Sequence, residues 1–360
     1  MPTCCAVISD QWSVGSDQYS AANSTLPTAQ PLTLDSADIE RDAHGTIIGV
    51  DLARARSSVN DEVLNAALTI PGLKKLRVAG NGISRETLVN IGKQTELEEL
   101  YLQDTMIHDD DLAVLFATLQ PLKRLTLRRC MNVTDAAAES LRQLCALPET
   151  RRAMNLALIE MNLGRKTLEV LSASPSRITA LDLRDCSRLA PEDYALLRAM
   201  PQLTDLKIGG FGINDVVLES VGTLPNLTGL TIEDAMITPG AFSSLLETAA
   251  WRTKLTQLVL SRNMTLPDNS LLAIQHLPNL KRLTTNDMTI TGRFLISLAE
   301  NEESRPRLET LSLQKTLLSA DSVKALLKYR ELKSLNLTGV ALSEEMNEAL
   351  AALDGVEVID

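Results

Sequence analysis

Twelve times the sequence returns to an apolar residue that is followed three positions on by another and, in every unit but the one with Thr285, five positions on by a third. These units open at Ile47, Leu73, Leu97, Leu122, Ala153, Ile178, Leu203, Leu227, Leu255, Leu280, Leu308 and Leu332. Residues 97–115, LEELYLQDTMIHDDDLAVL, show one copy clearly. Leu100 and Leu102 alternate with the period of a strand, and Leu112 and Leu115 have the spacing of a helix face. A chain built this way stacks one strand-turn-helix unit on the next. A last strand-like stub is formed by Val356, Glu357, Val358 and Ile359.

The repeat strings LKKLRVAGNGI, LEELYLQDTMI, LKRLTLRRCMNV, ITALDLRDCSRL, LTDLKIGGFGI, LTGLTIEDAMI, LTQLVLSRNMTL, LETLSLQKTLL and LKSLNLTGVAL resemble the strand motif of leucine-rich repeats. The spacing of about 24–31 residues overlaps that family's period. The unit at Ala153 keeps Leu156, Leu158 and Leu163 but lacks an opening Leu. Asn81, Cys130, Cys186 and Asn263 stand nine positions into their units, where the family places Asn or Cys. The array thus resembles the cysteine-containing and ribonuclease-inhibitor-like branches, with bacterial-type short turns mixed in. The resemblance implies an α/β fold, a leucine-rich-repeat solenoid with a parallel concave sheet, coiled as a right-handed horseshoe. Strands lie about 4.8 Å apart and packed helices about 8–10 Å, so the sheet takes the inside of the curve, on the order of 55 Å long.

Three segments are expected. Residues 1–31 are polar, with Pro27 and Pro31, and read as a flexible leader. Its adjacent Cys4 and Cys5 read as part of an unstructured tail rather than as acylation sites, because Pro2 stands where myristoylation needs Gly. Residues 32–46 read as a capping hairpin around the turn Asp42-Ala43-His44-Gly45. Residues 47–360 form the array. Three units carry extra residues, at 144–152, 248–254 and 300–307, which read as tolerated surface loops in preference to rim contacts with a partner.

Charge and composition exclude several functions. The net charge of −11 argues against nucleic acid, whose binding needs Lys and Arg on phosphates. No apolar run reaches the ~20 residues of a membrane span, and the opening residues show no secretory signal. Five cysteines make no disulfide framework, so the expected setting is a reduced cytoplasm. The Asn-x-Ser/Thr triplets, at Asn23 among others, mean little without secretion.

No convergent chemistry is visible. His44, His108 and His276 fall in the cap turn, at a helix start and at a helix end, so no nucleophilic pair or metal set forms, and neither a cofactor nor a metal is expected. Cys130 and Cys186 are two repeats apart, about 9–10 Å, too far to bridge, and read as buried thiols of a turn ladder. Gly209-Gly210-Phe211-Gly212 lacks the spacing of a nucleotide loop. The runs at Asp109 and Glu344 open helices, where the dipole favours acid.

If Leu100 and Leu102 point into the core, Glu99, Tyr101 and Gln103 line the concavity. The same register exposes Lys75 and Arg77 before them, Arg124 and Arg128 after them, and then Asp182, Arg184 and Lys207. Beyond Glu233 the lining is mostly neutral. Tyr101 flanked by Arg77, Arg124 and Arg128 combines residue types enriched in binding hot spots. The expectation is a non-catalytic scaffold holding a protein partner on this face. The alternative is a substrate-recognition subunit of a ubiquitin-ligase-like complex, set second because residues 1–46 lack the amphipathic helical periodicity of an adaptor-binding module. The partner's identity and the oligomeric state stay open.

Overall fold

The computed structural model of the chain describes residues 38–55, 59–119, 121–145, 153–173, 177–303 and 305–360. Residues 1–31, expected as a leader, with Cys4, Cys5 and Asn23, residues 32–37 of the expected capping hairpin, and residues 146–152 of the first expected loop lie outside the described residues.

Among the described residues fourteen strands form one open sheet in chain order. They are β1 (Asp38–Arg41), β2 (Ile47–Asp51), β3 (Lys75–Ala79), β4 (Glu99–Gln103), β5 (Arg124–Arg128), β6 (Met154–Ile159) and β7 (Ile178–Asp182). The series continues with β8 (Asp205–Gly209), β9 (Gly229–Glu233), β10 (Gln257–Val259), β11 (Arg282–Thr284), β12 (Thr310–Ser312), β13 (Ser334–Asn336) and β14 (Glu357–Ile359). β1 pairs antiparallel with β2, and the rest are parallel. In the turn between β1 and β2, Asp42 Oδ1 accepts from the amides of His44 and Thr46, and Gly45 takes φ +82°.

Register follows the middle leucine of each motif. Val50, Leu76, Leu100, Leu125, Leu156, Leu181, Leu206, Leu230, Leu258, Leu283, Leu311, Leu335 and Val358 pair in succession across the sheet. The leucines of this column are buried, as are the helix residues Leu88, Ile91, Leu112, Leu115, Leu218, Val221, Leu271, Ile274, Val323 and Leu326 that close the core opposite them. Two of the expected helices, Pro191–Ala199 and Asp268–His276, are 3-10 throughout.

The irregular unit resolves one residue later than its spacing suggests. Ala153 is exposed, whereas Met154 is fully buried and pairs with Ile178, the opening residue of the next unit. The register shifts between Met154 and Asn155, so a bulge lets a late apolar residue fill the first core slot.

Neighbouring units are stitched at their helix starts. Asp61, Asp109, Asp135, Asp215 and Asp268 are each the first residue of a helical segment. Each carboxylate accepts from the next unit: from the Ser84 amide, from the Thr134 amide and hydroxyl, from the Gly164 amide and Thr167 hydroxyl, and from the amides and hydroxyls of Thr238 and Thr291. The helix dipole favours acid at these positions, and the interunit hydrogen bonds give it a second role.

The extra residues at 248–254 are exposed as expected except at Ala249 and Trp251, which anchor the segment in the core. Trp251 is fully buried, and its indole Nε1 donates to the Val221 carbonyl at 2.9 Å. Lys254 Nζ reaches the Pro225 carbonyl at 3.1 Å and Asn226 Oδ1 at 2.7 Å. The insertion thus folds back into the core, because an indole with its one donor satisfied gains more inside than in water. At the last insertion Arg305 donates to the Ala299 carbonyl and lies 5.9 Å from the Tyr329 ring centroid. Trp251→Ala is expected to cost about 3–5 kcal/mol in urea unfolding, the range for emptying a large aromatic site. A change within about 0.5 kcal/mol, as for a surface position, would contradict this packing.

Candidate partner-binding face

The strands deliver the candidate residues in rows. Lys75, Glu99 and Arg124 are successive partners on β3, β4 and β5, as are Arg77, Tyr101 and Thr126; Gln103 pairs with Arg128. These eight residues form one contiguous block. Asp182 and Lys207 face each other on β7 and β8, with Arg184 following β7, and make a second block beyond β6.

Within the first block nearly every charge has a fixed partner. Lys75 Nζ lies 2.7 Å from Glu40 on β1, and Arg77 Nε lies 3.1 Å from Asp51 on β2. Arg124 is 3.8 Å from Glu99, and Arg128 is 2.8 Å from Glu160. The Arg77 guanidinium carbon stands 4.1 Å above the Tyr101 ring centroid. The Tyr101 hydroxyl donates to Gln103 Oε1, and Gln103 Nε2 donates to Asp104 at 2.9 Å. In the second block Arg184 bridges Asp182 at 2.8 Å and Glu233 at 3.0 Å. Burial pulls its guanidinium pKa down, but these two carboxylates outweigh burial and hold it above the ordinary value.

Exposure departs from the alternation reading. Tyr101 is 8% exposed, Gln103 2% and Asp182 7%, so none of them projects into solvent. They lie on the concave side, yet the long stem of Arg77 lies down over the Tyr101 ring, and Arg184 covers Asp182. What reaches solvent on the N-terminal block is the partly exposed set Lys75, Arg77, Glu99, Arg124 and Arg128.

A second array was not anticipated. At the exit of each strand from β4 to β12 one residue takes a left-handed backbone: Asp104, Arg129, Glu160, Asp185, Asp234, Arg262, Asp287 and Lys315, with φ between 50° and 61°. Gly210 occupies the place after β8 with φ +99°. The eight side chains are all charged, and where the signs alternate they pair. Arg129 reaches Asp104 at 2.7 Å and Glu160 at 3.3 Å, Arg262 reaches Asp234 at 2.6 Å, and Lys315 reaches Asp287 at 3.4 Å. The signal was present in sequence as a charged residue two positions after the third core position of the motif, whether Leu, Ile232 or Thr285, unused because alternation alone does not place a turn residue.

The other chemistry-bearing residues stay apart. His44 lies in the hairpin turn, His108 caps a helix, and His276 ends another, 3.6 Å from Glu247. Among the described residues no group of three or more His, Cys, Asp or Glu is arranged to hold a metal ion, and no helix is long and apolar enough to cross a membrane. Cys186 Sγ donates to the Leu158 carbonyl at 2.9 Å, and burial pushes its pKa up to about 12. Cys130 contacts the Leu102 carbonyl and the Thr105 hydroxyl, and Asn263 repeats the motif by bonding the Ile232 and Leu260 carbonyls. These thiols are structural. In the Gly209-Gly210-Phe211-Gly212 turn the amides of Gly210 and Ile213 are bonded to Glu233 and Gly210 carbonyls, so they are not turned toward a phosphate.

Asp185 marks the weak point of the charged ladder. Although the residue is exposed, the turn around it partly desolvates its carboxyl, which raises its pKa first, followed by repulsion from Glu160 and Asp234, with Arg184 and Arg262 pulling the other way. A carboxyl raised in the folded chain is more protonated there than in the unfolded one, so its ionisation destabilises the fold as pH rises. The penalty is absent below the unfolded value of about 3.9 and complete at neutral pH. Asp185→Asn should therefore raise the thermal midpoint at pH 7 and leave it unchanged near pH 3; an equal shift at both pH values would refute the assignment.

No family model matches the sequence, and no curated protein matches it. Solved structures do. The chain superposes on Rad7 in the yeast Rad7–Elc1 complex with a TM-score of 0.59, at 16% identity over 84% of this chain and 78% of that one. TLR13 in its complex with ssRNA13 gives 0.50 at 19% identity, over 81% of this chain and 39% of that one. The internalin InlF of Listeria monocytogenes gives 0.48 at 17% identity, over 87% and 86%. With its consecutive parallel strands alternating with helices, the chain has the leucine-rich-repeat solenoid fold.

Proposed function

We propose that this protein is a non-catalytic scaffold that holds a protein partner against its concave sheet, with the N-terminal block as the main contact. The observation that carries the reading is the guanidinium of Arg77 stacked on Tyr101 within a lattice of paired charges on three adjacent strands. Side chains already fixed by their neighbours lose little freedom when a partner arrives, which favours recognition of one shape. Mixed signs in fixed places suit a protein surface of complementary charge. An RNA or DNA backbone would call for unpaired cations of one sign, and here the arginines are neutralised from within. On this reading residues 32–46 cap the array, which is of the cysteine-containing, ribonuclease-inhibitor-like kind, and the setting is cytoplasmic. A second reading, a substrate-recognition subunit of a ubiquitin-ligase-like complex, draws support from the likeness to Rad7, a protein solved together with Elc1.

The burial of Tyr101 changes its expected role from anchor to platform: it orients Arg77 rather than inserting into the partner. Affinity capture from the native host with the intact chain, set beside a Tyr101→Ala/Arg124→Glu variant, tests this. Recovery of a specific protein is expected to fall at least tenfold with the variant, and undiminished recovery would remove the concave block from consideration. Co-recovery of a ligase adaptor would favour the second reading.

A further inference from the structure

The large apolar side chains left in solvent are concentrated at one place in the repeat. Met106, Met131, Phe211, Met236, Met264 and Leu317 all sit at the outer tip of the turn that follows a strand, and all are exposed. Phe211, Met236 and Met264 follow the consecutive strands β8, β9 and β10. Their turns are bonded edge to edge: the Met236 amide donates to the Ile213 carbonyl at 2.7 Å, and Asn263 Oδ1 accepts from the Ala235 amide at 3.0 Å. Met236 and Met264 hold the same position in adjacent turns, and Phe211 lies one position earlier in the turn before them, whose Asn214 bridges to Met236, so the three side chains lie on neighbouring turns of one rim. Phe211 is 84% exposed, so the fold makes little use of its ring. Val216, also exposed, lies five residues on, at the start of the following helix. Contiguous exposed apolar side chains mark interaction surfaces, and methionine adapts well to a partner's shape.

The charges beside this row decide what it fits. Along the strand-exit ladder the sign alternates from Asp104 through Arg129 to Glu160, and again from Asp234 through Arg262 and Asp287 to Lys315. Between those runs the rungs are Asp185 and Gly210, so no cation separates Glu160 from Asp234. Arg129 is engaged by Asp104 and Glu160, Arg262 by Asp234 and Glu233, and Arg184 by Asp182 and Glu233. Asp185 closes no ion pair with a described residue, including Arg188 on its own turn. A positive charge is thus wanting on the rung next to Phe211. A guanidinium satisfies both neighbours, since it pairs with a carboxylate and stacks on an aromatic face. A phosphate or an anionic lipid surface would meet Asp185, Glu160 and Asp234. A second copy presenting the same face would set acid against acid.

We propose that the strand-exit rim centred on Phe211 is a docking surface for an arginine-bearing apolar segment of a protein partner. The arginine seats against Asp185 and the Phe211 ring, and the apolar side chains lie along Met236 and Met264. This surface is separate from the concave block and stands or falls independently of it.

The test uses the intact chain and two acetylated, fluorescently labelled hexapeptides, one alternating Leu with Arg and the other with Glu in place of Arg. Fluorescence anisotropy is expected to show the Arg peptide binding at least tenfold more tightly. Phe211→Ala should weaken it about tenfold or more and Asp185→Asn about threefold to tenfold, whereas Tyr101→Ala leaves it unchanged. The thermal midpoint of Phe211→Ala should match the parent, which separates lost binding from lost folding. Equal binding of the two peptides, no binding up to millimolar concentration, or full binding by Phe211→Ala overturns the proposal. So does weakening by Tyr101→Ala alone, which would move the peptide to the concave face. Sedimentation with phosphatidylserine vesicles, or concentration-dependent dimerisation, that is lost in Phe211→Ala without a preference between the peptides would assign the rim to lipid or to a second copy instead.

Discussion

Everything in this fold depends on leucines stacking in register across parallel strands. The column from Leu76 to Leu335 is continuous, and each member faces the helix of its own unit. A slip of one residue would turn an entire strand inside out, exchanging its core residues for its charged ones. The unit at Met154 shows how strong this demand is. When the apolar residue arrives one position late, the backbone bulges so that Leu156 still meets Leu125 and Leu181. The core absorbs the irregularity, and the face that carries the charges keeps its order.

That same constraint explains what was legible in the sequence. Period, strand, helix face and the buried column follow from the recurrence of Leu and need no further information. The side of the sheet occupied by Tyr101 follows as well. Its exposure does not, because alternation states a direction and is silent on whether a long neighbour such as Arg77 folds over the ring. Trp251 was illegible for a different reason. It lies in an insertion, where periodicity stops and composition resembles a loop, and only the packed indole reveals it as core. The charged left-handed residues had a visible signal, one charge at a fixed offset, yet their meaning depends on neighbouring turns lying side by side.

Both charged arrays share a physical logic. On the concave block and along the strand exits, arginines are held by carboxylates from adjacent units, so the ion pairs span unit boundaries and not helix turns. Each pair at the surface contributes modestly, about 0–1 kcal/mol, and the value of the arrangement lies in fixing orientation. A partner then meets a patterned, partly dehydrated surface and not a set of mobile side chains. Where the pattern breaks, at Asp185 and Gly210, the surface is left with an imbalance beside the most exposed aromatic ring among the described residues.

The aspartates that open the helices have a directional consequence. Asp61, Asp109, Asp135, Asp215 and Asp268 always supply the acceptor, and the following unit always supplies the donors. The joint between two units is therefore polar in the manner of a plug and socket. An interruption at one of these five joints strands an unsatisfied carboxylate on the leading piece and bare amides on the trailing one, so the two new ends are chemically unlike. A stack with such joints reads in one direction only, because a reversed unit loses the aspartate joints it makes.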